Sequence, residues 1–195
     1  MRCKIAFCIA AIFLLCCASN AKAQNFAIKS NLIYDATATV NLGMEVGLAP
    51  QWTLDLSGNF NAWSKNEDVK WKHWMFQPEA KYWFCDRFSR HFVGIHLIGG
   101  AYNFASIDKY FPFLKTDLSS LSDMRYQGYA YGCGASYGFA FVLSKHLNLE
   151  LEAGFGYMYL DYETFKCTGC GQKIRESAYH YVGPTKAAIN IVYVF

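Results

Sequence analysis

Residues 181–195 alternate two by two up to a terminal aromatic. Ala187, Ile189, Ile191, Tyr193 and Phe195 are apolar, while Lys186, Ala188 and Asn190 are polar or small. A period of two belongs to a strand with two unlike faces. A long apolar strand at a free chain end invites edge pairing and aggregation. A closed barrel removes that hazard, because its last strand seals against its first.

The same period recurs along the chain. Val40, Leu42, Met44, Val46 and Leu48 oppose Asn41, Gly43, Glu45 and Gly47. Trp52, Leu54, Leu56, Gly58 and Phe60 oppose Thr53, Asp55, Ser57, Asn59 and Asn61. Leu147, Leu149, Leu151, Ala153, Phe155 and Tyr157 oppose Asn148, Glu150, Glu152, Gly154 and Gly156. Further strands are expected over 26–34, 71–84, 91–104 and 126–143. Pro78 falls inside the fourth, where a missing ladder donor predicts a bulge or bend. The sixth has small residues at every other position, from Gly128 through Gly132 and Gly134 to Ala140. The eighth is expected to present Tyr181, Thr185, Ala187, Ile189, Ile191, Tyr193 and Phe195 outward. Turns at 49–51, 85–90 and 144–146 are short. Connections at 64–70, 105–125 and 161–177 are longer, and 35–39 is a short one. An even strand count with short turns at one end and loops at the other is the pattern of an outer-membrane barrel.

The start of the chain is read as separate from that domain. Arg2 and Lys4, the apolar run 5–18 and Ala21-Lys22-Ala23 form a cleavable signal peptide over 1–23. A lipoprotein signal through Cys16 or Cys17 is the rival, but Leu15 or Cys16 stands where a small residue is wanted. The barrel domain is 24–195. The formal charge of +3 resides entirely in Arg2, Lys4 and Lys22, so the domain is neutral and offers no electrostatic case for nucleic acid. Export also places Cys85, Cys133, Cys167 and Cys170 in an oxidising compartment.

Two barrels fit eight strands. A soluble lipocalin-type barrel is apolar inside. The inverse arrangement puts the Trp, Tyr and Phe residues against lipid. It also gathers Lys29, Glu45, Asp55, Glu79, Lys81, Glu150, Glu152 and Lys186 in the lumen. Charges of both signs can pair there, and eight strands enclose only enough space for side chains. The expectation is an eight-stranded antiparallel up-and-down transmembrane barrel with a plugged polar lumen, in the cell outer membrane.

Several motifs support one resemblance. They are Lys29-Ser-Asn-Leu-Ile-Tyr-Asp35, Asn41-Leu-Gly-Met-Glu45, Trp52-Thr-Leu-Asp-Leu56, Lys72-His-Trp74, Gln77-Pro-Glu79 and Tyr82-Trp83. Tyr157 to Asp161, Cys167-Thr-Gly-Cys170-Gly171 and Gly183-Pro-Thr-Lys-Ala187 complete the set. Together they resemble the outer-membrane barrel family of Bacteroidetes labelled domain of unknown function 3575. That resemblance implies the fold and carries no activity or functional residue.

Candidate chemistry is sparse. Cys167 and Cys170 are read as a local disulfide. Zinc would need further ligands, with His73 and His180 the available helpers, and a redox dithiol would lack its strand–helix context. No cofactor motif is found. A lipid-A or phospholipid-modifying enzyme needs a nucleophile with a base in reach. Ser106, Ser119, Ser120, Ser122 and Ser177 supply hydroxyls, but no Ser/His/acid spacing stands out. A small pore is the third reading. Loop 105–125 mixes Tyr110, Phe111 and Phe113 with charges. It is read as a surface for a protein or glycan partner, or as packing over the barrel mouth. Tyr193 and Phe195 resemble the aromatic signal recognised by barrel-insertion machinery. The preferred reading is a non-enzymatic surface barrel with structural, adhesion or docking duties.

Overall fold

The computed structural model describes residues 25–62, 70–105, 125–165 and 173–195. The leader read at 1–23, the Cys167/Cys170 pair, the polar loop from 64 and the loop between 105 and 125 lie outside the described residues. Eight antiparallel strands close into one barrel, with β8 bonded to β1. They are β1 (Phe26–Asn31), β2 (Val40–Ala49), β3 (Trp52–Asn61), β4 (Lys70–Trp83), β5 (Arg90–Ala105), β6 (Arg125–Val142), β7 (Leu147–Phe165) and β8 (Lys173–Val194). Short turns join β2 to β3, β4 to β5 and β6 to β7 at one end.

Strand parity sorts the side chains. On β2, Leu42 is 56% exposed and Glu45 is wholly buried; on β5, Ile95 is 71% exposed and the adjacent His96 is wholly buried. The apolar face is the outer face, the inverse of a soluble barrel. The seam runs in register from Ala27↔Val194 to Asn31↔Asn190. Phe195 extends it: its backbone N–H donates to Phe26 O at 2.9 Å, and the two rings lie 5.4 Å apart.

Four local expectations are corrected. The first strand does not run to Tyr34. It stops at Asn31, and Leu32–Ala36 forms a short helix, α1. The Asn31 carboxamide oxygen caps it, accepting from Ile33 N at 3.0 Å. Asp35 accepts from Ser30 Oγ at 2.8 Å and from Asn41 Nδ2 at 2.7 Å. These short polar side chains offer the backbone a local alternative to the ladder. Second, Pro78 causes no bulge. The β4–β5 register is the same on either side of it, and the ladder lapses only at Gln77 and Pro78. Third, part of the loop expected at 161–177 is strand: β7 continues to Phe165 and β8 begins at Lys173, still paired.

The fourth correction changes what faces the lumen. Gly154 pairs with Lys186, but Phe155 pairs with Pro184, so Thr185 is bulged out of the ladder. A bulge inverts the parity of everything beyond it. Tyr181 and Thr185 therefore turn inward and not outward. Thr185 Oγ1 reaches His96 Nε2 at 2.9 Å, and Tyr181 shares the inner side with its partner Met158. Pro184 sits in an irregularity where its missing N–H does least harm.

Asn31 holds α1 and also accepts from Ile189 N at 3.3 Å across the seam. Asn31→Ala is expected to cost about 1–2 kcal/mol, the upper range for a lost cap. A shift in the chemical unfolding midpoint of the refolded protein measures this, and an unchanged midpoint would refute it.

Candidate functional site

The lumen is built in three layers. At the turn end, Trp83, Phe88, Phe92, Ala140, Val192, Val194 and Ala27 pack as an apolar plug. The Trp83 and Phe92 rings lie 4.6 Å apart, and Trp83 and Phe88 6.0 Å apart. Phe88 comes from the β4–β5 turn, where its φ of 60° is left-handed. That conformation is unfavourable for a bulky residue. Asn148 Nδ2 donates to Phe88 O at 2.7 Å and holds the turn closed.

The middle layer is ionic. It brings together all eight of the charged residues selected from the sequence. Lys29 Nζ lies 2.6 Å from Glu45, 2.7 Å from Asp55 and 3.3 Å from Glu150. Lys81 Nζ lies 2.9 Å from Glu150 and 3.5–3.6 Å from Glu45, Asp55 and Glu152. Lys186 bonds Glu79 and lies 3.0 Å from Glu152. Each lysine is thus shared among several carboxylates donated by different strands.

Five carboxylates face three lysines, so neutral donors complete the layer. Thr53 Oγ1 donates to Glu45 at 2.5 Å, and Trp83 Nε1 in turn donates to Thr53 Oγ1 at 2.9 Å. Asn190 Nδ2 donates to Glu150 at 2.8 Å, and Ser136 Oγ donates to Glu79. Hydrogen bonds to ionised groups are about twice as strong as neutral ones. Glycines make the room. A Cβ at Gly94 would fall on the Glu79 carboxylate, and one at Gly154 would lie 2.8 Å from His96 and 2.9 Å from Lys186.

The outer layer is a cup. A cavity of about 530 Å3 is lined by Tyr34, Met75, Tyr102, Met158, Leu160 and Tyr179, with other apolar groups. Tyr34 comes from α1 and also borders the small space beside Lys186 and Asp55, so it stands between cup and charges. Sequence reasoning missed this role because it placed Tyr34 on a strand; Asn31 preceding an apolar pair was the available capping signal. Beyond the cup, Lys173 bonds Glu163 at 2.5 Å and Glu176 at 2.7 Å. The hydrogen bond to Glu163, then that to Glu176, holds the Lys173 ammonium above its ordinary range.

The remaining candidates are dispersed. His180 Nδ1 lies 2.5 Å from Tyr157 Oη and His91 Nδ1 2.6 Å from Tyr137 Oη, both pairs exposed on the outside. His146 Nδ1 lies 2.8 Å from Val194 O. Thr185, His96 and Glu79 stand in line, with His96 Nδ1 3.9 Å from Glu79 Oε1. The sequence resembles a nucleophile, base and acid. The imidazole is wholly buried, however, and Glu79 is already engaged by Ser136 and Lys186. This line pins the β8 bulge. Among the described residues no cluster of three or more His, Cys, Asp or Glu side chains could hold a metal. Cys85 and Cys133 are free and exposed. Tyr193 and Phe195 are half exposed on the outer face, with their rings 5.0 Å apart.

The family described as Protein of unknown function (DUF3575) matches residues 9–195, and the chain belongs to it. No curated protein matches.

The ionic layer makes a direct prediction. Lys81→Met leaves five buried carboxylates facing only two lysines and should destabilise the barrel by about 3–5 kcal/mol. Adding Glu150→Gln should recover part of that loss. Chemical unfolding of the refolded variants measures both, and a Lys81→Met protein as stable as the wild type would overturn the assignment.

Proposed function

We propose that this family member is a transmembrane barrel of the outer membrane, exported by its leader. It carries no pore, and its role is non-enzymatic docking or adhesion at its outer end. The observation that carries the reading is the inside-out distribution of its side chains. A band of exposed Val, Leu, Ile and aromatic residues surrounds a core whose charges are nearly all paired. In water that outer band would be a large aggregating surface. Against lipid it is the stable arrangement.

Its height fits. Aromatic residues gather at two levels of the outer face: Trp52, Tyr82 and Phe84 near the turns, and Phe60 and Trp74 above. Tyr82 and Trp74 are eight residues apart on β4. At about 3.3 Å per residue and a tilt of about 40° they span about 20 Å, close to the roughly 25 Å apolar band of such barrels. Between these levels every strand offers lipid an apolar face. The polar cross-strand pairs of β7 and β8, such as Glu163↔Glu176, lie beyond the upper level and project from the membrane. That projection is the natural place for a protein or glycan partner. The plug and the ionic layer beneath it support a closed lumen.

Three outcomes are expected. The protein remains in membranes after carbonate extraction and migrates faster on gels before boiling than after. In planar bilayers it shows no conductance above background, and a steady conductance would favour the pore. Lipid A and phospholipids from overexpressing and deletion strains have the same masses; a consistent difference would favour the enzyme. Phe195 closes the seam and fits the aromatic insertion signal, so its deletion should lower outer-membrane levels. Unchanged levels would count against that role.

A further inference from the structure

The outward face of β5 contains a gap. Gly99 and Ala101 stand there between large neighbours: Phe76 and Trp74 on β4, Tyr131 and Tyr129 on β6. All four rings are about half exposed, and Tyr129 and Tyr131 stack with centroids 6.4 Å apart. A Cβ added at Gly99 would meet nothing within 4 Å, and among the described residues no glycine has a left-handed φ. Neither close packing nor backbone geometry therefore calls for glycine at this position. What its absence of a side chain creates is a slot on the outside of the barrel, with aromatic walls.

One row further out, Lys72, Asn103 and Gln127 are cross-strand partners on the same three strands. Asn103 Nδ2 donates to Gln127 Oε1 at 3.3 Å. A cavity of about 550 Å3 opens at the Ala101 and Asn103 positions, lined by Phe60, Lys72, Trp74, Ala101, Asn103, Gln127 and Tyr129 among others, and the Gly99 gap lies next to it along the strands. Neighbouring strands are about 4.8 Å apart, so the walls on β4 and β6 stand about 10 Å apart and leave about the width of one alkyl chain between their rings.

We propose that this slot binds one lipid bearing a neutral sugar headgroup. The acyl chain lies over Gly99 between Phe76 and Tyr131. The sugar lies between Trp74 and Tyr129 and meets the carboxamides of Asn103 and Gln127. The proposal rests on the membrane reading, since the slot opens on the outward face at the upper aromatic level, where headgroups lie. The rim chemistry selects the headgroup. Asp161, Glu163 and Glu176 lie along it, with Lys72 across the cavity, and Lys173 is already held by two of the carboxylates. The three carboxylates still outnumber these two lysines, and that acidic excess opposes a phosphate. Carboxamides both donate and accept, which suits hydroxyls, and aromatic faces suit the C–H face of a sugar ring.

The test uses the whole barrel in phosphatidylcholine nanodiscs containing either a monoglucosyl diacylglycerol or phosphatidylglycerol with the same chains. Native mass spectrometry counts the lipids retained on release. The wild type should retain one glucosyl lipid, and Gly99→Phe, which fills open space, should reduce retention about fivefold or more. Asn103→Ala with Gln127→Ala should lower the preference for the glucosyl lipid about fivefold, the value of one net hydrogen bond. Equal retention by Gly99→Phe and wild type, no retained lipid, or a preference for phosphatidylglycerol would each overturn the proposal. Heat-modifiable migration checks that each variant is folded. Vesicle flotation separates the two readings: a barrel that floats but retains no lipid refutes this site alone, and one that fails to float refutes the membrane reading as well.

Discussion

Three lysines hold the inside of this barrel together. Lys29, Lys81 and Lys186 come from β1, β4 and β8, and their carboxylate partners come from β2, β3, β4 and β7. An apolar core can slide and repack; a buried ammonium shared among carboxylates cannot move without leaving a charge unpaired. The pairing therefore ties strands from all sides of the barrel to one register. Shifting one strand by a single residue would turn its charges out towards the apolar band and its leucines into the ionic layer. The layer is weak evidence for net stability but strong evidence for a unique closed arrangement.

The rest of the interior accommodates that layer. Small residues on β5, β6 and β7 leave the volume that the long charged side chains occupy. The aromatic plug shields the turn end, and Lys81 Nζ lies over the Phe92 ring at 4.2 Å, so plug and charges meet through a cation–π contact. On the other side Tyr34 stands over the charges. The β8 bulge serves the same end. By displacing Thr185 it supplies His96 with a partner, and by reversing parity it sends Tyr179 into the cup. The outside is organised differently. There the alternating apolar positions form a continuous band, and small residues on β5 interrupt it where the aromatic walls stand.

Much of this was legible from residue order. Alternation at β2, β3 and β7 identified both faces of each strand, because side-chain direction in a strand follows from the pleat alone. Glu45, Asp55, Glu150 and Glu152 followed as polar members of those faces, and Lys29, Glu79, Lys81 and Lys186 followed in the same way on β1, β4 and β8. What escaped were places where a local interaction overrides the period. Asn31 and Asp35 compete with the ladder through their own side chains, so β1 ends early and α1 begins. Thr185 leaves the ladder because His96, on a strand far away in sequence, offers it a partner. Pro78 produced the opposite error: its missing donor costs one interval of pairing, and the partner strands keep their register around it.

The sequence by itself determined the strand period, the faces and which charges share the interior, since these depend only on neighbours two residues apart. The tertiary structure alone decided which lysine meets which carboxylate, where parity reverses, and that Gly99 and Ala101 lie between four aromatic rings. Those depend on the register between strands, and register is a property of the closed sheet as a whole.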